Sequence, residues 1–203
     1  MLEALASIRA RHADIIFRPE CTALLVLDMQ EYFLRTGSHA FIPSAPAILP
    51  NIQRLVGDFS AHNRPVIFTR HINTDEDAGM MSRWWRDVLR TDSPDSAIVP
   101  ALDTSRGTVI QKSQYDAFYN TSLEETLRGR GVQQVIVTGV MTHLCCETTA
   151  RSAFVRGFEV FFCVDGTATY TEEVHRSSLS NLTHGFVIPT ACAEIGFQNI
   201  NFV

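Results

Sequence analysis

The stretch Val135-Ile-Val-Thr-Gly-Val-Met-Thr-His-Leu-Cys-Cys-Glu-Thr-Thr-Ala-Arg151 decides how the rest of the chain is read. An apolar, β-branched run passes through a glycine-containing bend into a helical pattern that carries two adjacent thiols, Cys145 and Cys146. Strand, bend and helix in that order is the repeating unit of a parallel α/β sheet. A thiol at a helix start feels the partial positive charge of unpaired N–H groups, which favours thiolate. Backbone N–H groups in the same bend are suited to hold a developing oxyanion.

The same alternation extends in both directions. Thr22–Asp28 is a continuous apolar run ending in an acid, and Pro65–Thr69, Thr108–Gln111, Gln134–Thr138, Glu159–Val164 and Phe186–Ile188 are similar short runs. Runs that are apolar on both faces suit a buried parallel sheet better than a half-exposed antiparallel one. Helix-compatible segments lie between them at Ala47–His62, Ser122–Gly131, Leu144–Arg156 and Glu172–His184. Thr121-Ser-Leu-Glu124 fits a capping box, and Gly131 and Gly157 fall where helices should stop. The expected architecture is a three-layer α/β/α sandwich around a doubly wound, six-stranded parallel sheet. One irregular stretch, His71–Gly107, fits a lid or a subunit contact.

With 203 residues, 45% of them apolar, the chain reads as a single domain over residues 1–203. Residues 1–18 are expected to form an N-terminal helical extension. A net charge of −5, with no Lys/Arg cluster, argues against a nucleic-acid partner. No apolar run approaches the roughly 18 residues that span a bilayer, which argues against a membrane protein. The five cysteines are odd in number and widely spaced, which fits reduced thiols in a cytoplasmic protein. No G-x-G-x-x-G follows a strand and no P-loop occurs, so no cofactor is expected.

Ligands of open parallel sheets bind outside the carboxyl ends of the strands. Three reactive side chains fall there: Asp28 after the first strand, Lys112 after the third and Cys145 after the fourth. Each also has a bland reading, as a turn residue, a solvated charge and a small inert hydrophobe. Position alone separates Cys145 from Cys146 only weakly.

Asp28-Met-Gln-Glu-Tyr-Phe33, Lys112-Ser-Gln-Tyr-Asp-Ala-Phe118 and Gly139-Val-Met-Thr-His-Leu-Cys145 resemble, in order, the three signature blocks of the isochorismatase-like cysteine hydrolases. That superfamily contains nicotinamidases and amidohydrolases of carbamoyl, ureido and biuret compounds. The resemblance spans roughly Cys21 to Ile195. It implies a strand order of 3-2-1-4-5-6, an Asp28–Lys112–Cys145 catalytic triad and the choice of Cys145 over Cys146. It also implies a cis peptide near Val140–Met141, with the N–H groups of Met141 and Cys145 forming an oxyanion hole, and a homodimer or homotetramer.

The expected function is cleavage of a C–N bond in a small linear amide, ureido or carbamoyl compound through a thioester. Asp28 would serve as acid and base, and Lys112 would offset the clustered charge. An ion pair at 4 Å and an effective dielectric of about 20 is worth roughly 4 kcal/mol before desolvation. The vinyl-ether-cleaving members generally lack the cysteine, so that reaction, with Asp28 as acid, is the alternative. A non-catalytic thiol or redox-sensing protein is a further one. Nicotinamidases carry an Asp-x-His metal pair after the second strand. Here the stretch reads Thr69-Arg-His71, so metal dependence and nicotinamidase activity are not expected.

Candidates for contact with a small-molecule substrate are Gln30, Phe33, Arg70, Trp84, Trp85, Tyr115 and Phe118. Arg70 follows a strand and has the geometry to pair with a carboxylate, or to form a surface salt bridge. Trp84 and Trp85 read as a pocket wall or an interface anchor. Gln30 reads as an amide that orients the loop around Asp28.

Overall fold

The computed structural model describes residues 9–85 and 87–197. Six strands, β1 (Thr22–Leu27), β2 (Val66–His71), β3 (Thr108–Lys112), β4 (Gln134–Val140), β5 (Glu159–Ala168) and β6 (Ile188–Thr190), form one sheet. All neighbours pair in parallel, in the order β3-β2-β1-β4-β5-β6. Both the strand order and the parallel pairing agree with expectation.

Alternation along β1 divides the core in two. Leu24 and Val26 pack with Ile52, Leu55 and Phe59 of the long helix Ala45–Ala61 (α2), which follows a single turn at Glu31–Leu34 (α1). Ala23, Leu25 and Leu27 face the other way. They meet Leu123 and Leu127 of α4 (Leu123–Gly129), Ala150 and Ala153 of α5 (Glu147–Val155), and Leu179 and Leu182 of α6 (Glu172–Gly185). A further short helix, α3, occupies Met80–Trp84. A strand with helices on both faces must be apolar at every position, and all six residues of β1 are buried.

Several boundaries depart from the sequence reading. The last strand begins at Ile188, because Phe186 still accepts the end of α6 by donating its N–H to Leu182 O. The expected capping box does not form: Thr121 Oγ1 accepts from Leu123 N, and Glu124 pairs with Arg156 at 3.0 Å. Gly131 and Gly157 do end their segments, both at positive φ. Of the N-terminal extension, residues 1–8 lie outside the described residues, and residues 11–18 form turns and extended chain rather than helix. The long irregular stretch supplies α3 and two 3₁₀ turns, and its residues wall a cavity.

β1 and β4 lie side by side where the direction of winding reverses, and the chain opens a crevice there. Gly139 makes this approach possible. Its φ is +109°, and a Cβ there would lie 2.1 Å from Leu27 O. No other residue fits at that point of β4.

Candidate active site

Asp28, the first residue past β1, is fully buried and has φ +51°. Asp tolerates this left-handed conformation better than most side chains. Thr69 of β2 fixes the carboxylate: its Oγ1 accepts from Asp28 N at 3.0 Å and donates to Oδ1 at 2.6 Å. Among the described residues, Oδ2 has no hydrogen bond and pairs with the Lys112 ammonium at 2.7 Å.

Lys112 ends β3, two strands from β1, a separation of about 9–10 Å. A long side chain is needed to cross β2. Nζ donates to Gln114 O at 2.9 Å and to Cys145 Sγ at 3.5 Å, and the Asp28 carboxylate is its ion-pair partner.

Cys145 lies in a single π turn, Thr142–Cys146, between β4 and α5. Such turns re-aim side chains and recur at functional sites. The Val140–Met141 peptide before it is cis. The turn separates the two cysteines. Cys145 lines the cavity, whereas Cys146 is sealed into the second core, its Sγ 4.0 Å from Thr138 O.

Burial opposes ionisation throughout the cluster, and the ion pair overrides it for two of three groups. The ammonium of Lys112 holds Asp28 below the usual carboxylate range, and Asp28 in turn raises Lys112. Cys145 goes the other way. Burial pushes it up to about 12, Lys112 pulls it down, and the Asp28 carboxylate reinforces the rise. The pull toward thiolate expected of a helix start does not prevail here. The α-helix proper starts only at Glu147, and desolvation outweighs any helix-terminus effect. The resting cluster is thiol, carboxylate and ammonium.

A cavity of about 270 Å³ opens above Cys145. Of the substrate-contact candidates, Phe33, Trp85 and Tyr115 line it, and Met141 does so as well. Trp85 donates its indole N–H to Tyr115 Oη at 2.6 Å, which holds both rings in place. Four other candidates do not line it. Gln30 spends its amide on backbone, donating to His71 O and Ser96 O and accepting from His71 N. That agrees with the loop-orienting reading and not with substrate contact.

Arg70 donates to Ser96 O at 2.9 Å and also to Ser96 Oγ, so its guanidinium is committed to a loop. Alternation along β2 gives the cavity to His71 instead. Phe118 packs in the core beside Phe158, under the Arg156 guanidinium. Trp84 is 72% exposed and turned away from the cavity.

Tyr32, His71, Asn73 and Tyr170 also line it and were not anticipated as substrate contacts. His71 had a readable signal, because it ends a strand at the edge where ligands bind. Tyr170 had none, since it lies in a loop past β5, and Tyr32 sits in the single turn α1, too short to show a periodicity. A divalent metal does not fit this site. Thr69 stands where a carboxylate ligand is required and is engaged with Asp28, and the Nε2 of His71 is given to Asn73.

The Isochorismatase domain family matches residues 22–194. A curated relative, Nicotinamidase 3 of Arabidopsis thaliana, is 41% identical over 85% of this chain and 86% of its own length. Enterobactin synthase component B of Escherichia coli (strain K12) is 33% identical over 82% of this chain, which spans only 59% of that protein. The crystal structure of a cysteine hydrolase from Pseudomonas syringae pv. phaseolicola 1448A superposes with a TM-score of 0.84 at 30% identity, covering 88% of this chain and 92% of that one. The chain belongs to the isochorismatase-like hydrolase family. Among the described residues, no helix is long and apolar enough to cross a membrane.

Proposed function

We propose that the protein is a cysteine-dependent hydrolase that cleaves the C–N bond of a small amide, without a metal. One observation carries this reading: a single buried ammonium, Lys112, engages both a carboxylate, Asp28, and a thiol, Cys145, and the thiol lines a cavity. Structural ion pairs are common, but a buried pair that also engages a cavity-facing thiol has no evident stabilising purpose.

The proton inventory gives each group a task. As Sγ of Cys145 bonds to the carbonyl carbon, its proton passes to Asp28 and the carbonyl oxygen becomes an oxyanion, taken by the N–H groups of Met141 and Cys145. Collapse breaks the C–N bond, and Asp28 gives its proton to the departing nitrogen. Water then attacks the thioester as Asp28 removes its proton. The C–S bond breaks and Asp28 reprotonates the sulfur. One carboxylate serves both half-reactions, while Lys112 stays charged and steadies whichever anion is present. The high thiol pKa is consistent with this order, because proton transfer accompanies attack.

Two observations widen the substrate class beyond the linear amides and ureides expected from sequence. Phe33, Tyr32, Trp85, Tyr115 and Tyr170 put five aromatic side chains on the cavity wall, and the Arabidopsis relative is named a nicotinamidase. A flat ring carboxamide therefore joins the candidates, although the metal pair read as typical of nicotinamidases is missing here. The likeness to enterobactin synthase component B favours a second reading, vinyl-ether hydrolysis with Asp28 as acid and an idle thiol. The paired-thiol sensor is disfavoured because Cys145 and Cys146 face different environments.

The test is ammonia release from nicotinamide, linear amides, ureido acids and biuret, with Cys145→Ala as the blank. Release by the parent chain and none by the variant is expected. Ammonia release that survives in the variant would remove Cys145 as the nucleophile, and a parent chain and variant that both cleave a vinyl ether but release no ammonia would favour the second reading.

A further inference from the structure

One buried polar atom in the cavity wall has no partner, and its neighbours dictate its chemistry. His71 ends β2, between the strands that deliver Asp28 and Lys112, and is paired in register with Lys112. Its side chain lines the cavity, yet Nδ1 is buried with no hydrogen-bond partner among the described residues.

Asn73 determines the tautomer. Its Nδ2 donates to Ser113 O at 2.9 Å and to Asp77 Oδ1 at 3.3 Å, which are acceptors only. The amide nitrogen must face them, so Oδ1 faces His71 Nε2 at 3.1 Å. The ring proton is therefore on Nε2, and Nδ1 carries a bare lone pair. Burial, helped by the charge on Lys112, holds the His71 pKa at about 4, so the ring stays neutral near pH 7.

The nearby donors are all taken. Lys112 is engaged by Gln114 O, Cys145 Sγ and the Asp28 carboxylate, Thr69 gives its hydroxyl to Asp28, and Gln30 gives its amide to backbone. A buried acceptor left open costs stability, and the partner it lacks must come from the cavity.

We infer that Nδ1 of His71 accepts an N–H of the bound carboxamide or ureido group, and so selects amides over the corresponding esters. This rests on the amide-hydrolase reading above. It makes Asn73 a positioning residue, acting only through the tautomer it enforces.

Two measurements test it. In ¹⁵N-histidine spectra of the free protein at pH 7, His71 should be neutral with its proton on Nε2. A proton on Nδ1 would overturn the assignment regardless of activity. Kinetics then compare each amide that is turned over with its methyl ester, nicotinamide with methyl nicotinate among them. His71→Leu should lower kcat/KM on the amide about tenfold to hundredfold, mainly through KM, and change the ester by less than about threefold.

His71→Asn returns an oxygen acceptor near the Nδ1 position and should recover most of the amide activity. Equal losses on amide and ester, or no recovery with Asn, would overturn the assignment while leaving the hydrolase reading intact. A parent chain that cleaves no amide at all would overturn both.

Discussion

Two polar clusters sit a few residues apart at the same edge of the sheet, and they differ in how completely their hydrogen bonds are closed. Around Ser96, the side chains of Gln30 and Arg70 tie down the carbonyls of His71 and Ser96 and the N–H of His71. In the cavity floor, Asp28 Oδ2 has only its ion pair, and His71 Nδ1 has no partner among the described residues. The closed cluster is scaffold. The open one retains bonding capacity for something that enters, and that spare capacity marks chemistry better than charge alone.

The sharpest way to break this comparison is at the two cysteines, adjacent in sequence but assigned to different regions. Cys145→Ala should lower kcat by about 10⁴-fold or more and leave the melting temperature within a few degrees of the parent. Cys146→Ala should retain activity within a few-fold and lose about 1–2 kcal/mol of stability through lost packing. Ammonia assays and thermal melts on both variants read the contrast.

The next largest effect is expected from the charges. Lys112→Met leaves Asp28 buried and unpaired, and denaturant unfolding should show a loss of about 3–5 kcal/mol along with loss of turnover. The double variant Lys112→Met with Asp28→Leu should recover part of that stability but none of the activity. Arg70→Met opens the closed cluster, and its cost of about 1–2 kcal/mol should affect KM only through the loop it supports.

Acid should distinguish the two regions as well. His71 titrates near 6.5 when unfolded and near 4 when folded, so the unfolded chain binds the extra proton between those values. Stability should therefore fall as pH drops from 6.5 toward 4, and Asp28, also depressed, adds a further loss below its ordinary range. In His71→Leu the first of these acid limbs should disappear from unfolding curves recorded at stepped pH. The smallest effect is expected from the tryptophans. Trp85→Ala should raise KM by up to about tenfold, and Trp84→Ala should leave kcat/KM within about twofold.

Much of this was legible in the sequence because it depends on short-range patterns. Doubly apolar runs such as Thr22–Leu27 identify buried parallel strands, and strand ends specify where Asp28, Lys112 and Cys145 must emerge. What was not legible depends on facing. Arg70 and His71 are neighbours on β2, and only strand register turns the histidine into the cavity and the arginine toward Ser96. Phe118 lies in a signature block yet packs behind it, because an aromatic ring suits a core as well as a pocket. The strength of the opposing burial on the thiol was out of reach for a different reason. Desolvation depends on three-dimensional burial, which a sequence motif does not contain.

Rapid-quench mass spectrometry during turnover of an amide tests the central claim most directly. An added mass equal to the substrate's acyl group, localised to the peptide carrying Cys145 and released by water as the acid forms, is the predicted result. Steady ammonia production with Cys145 unmodified, or with the adduct on another residue, would contradict the account.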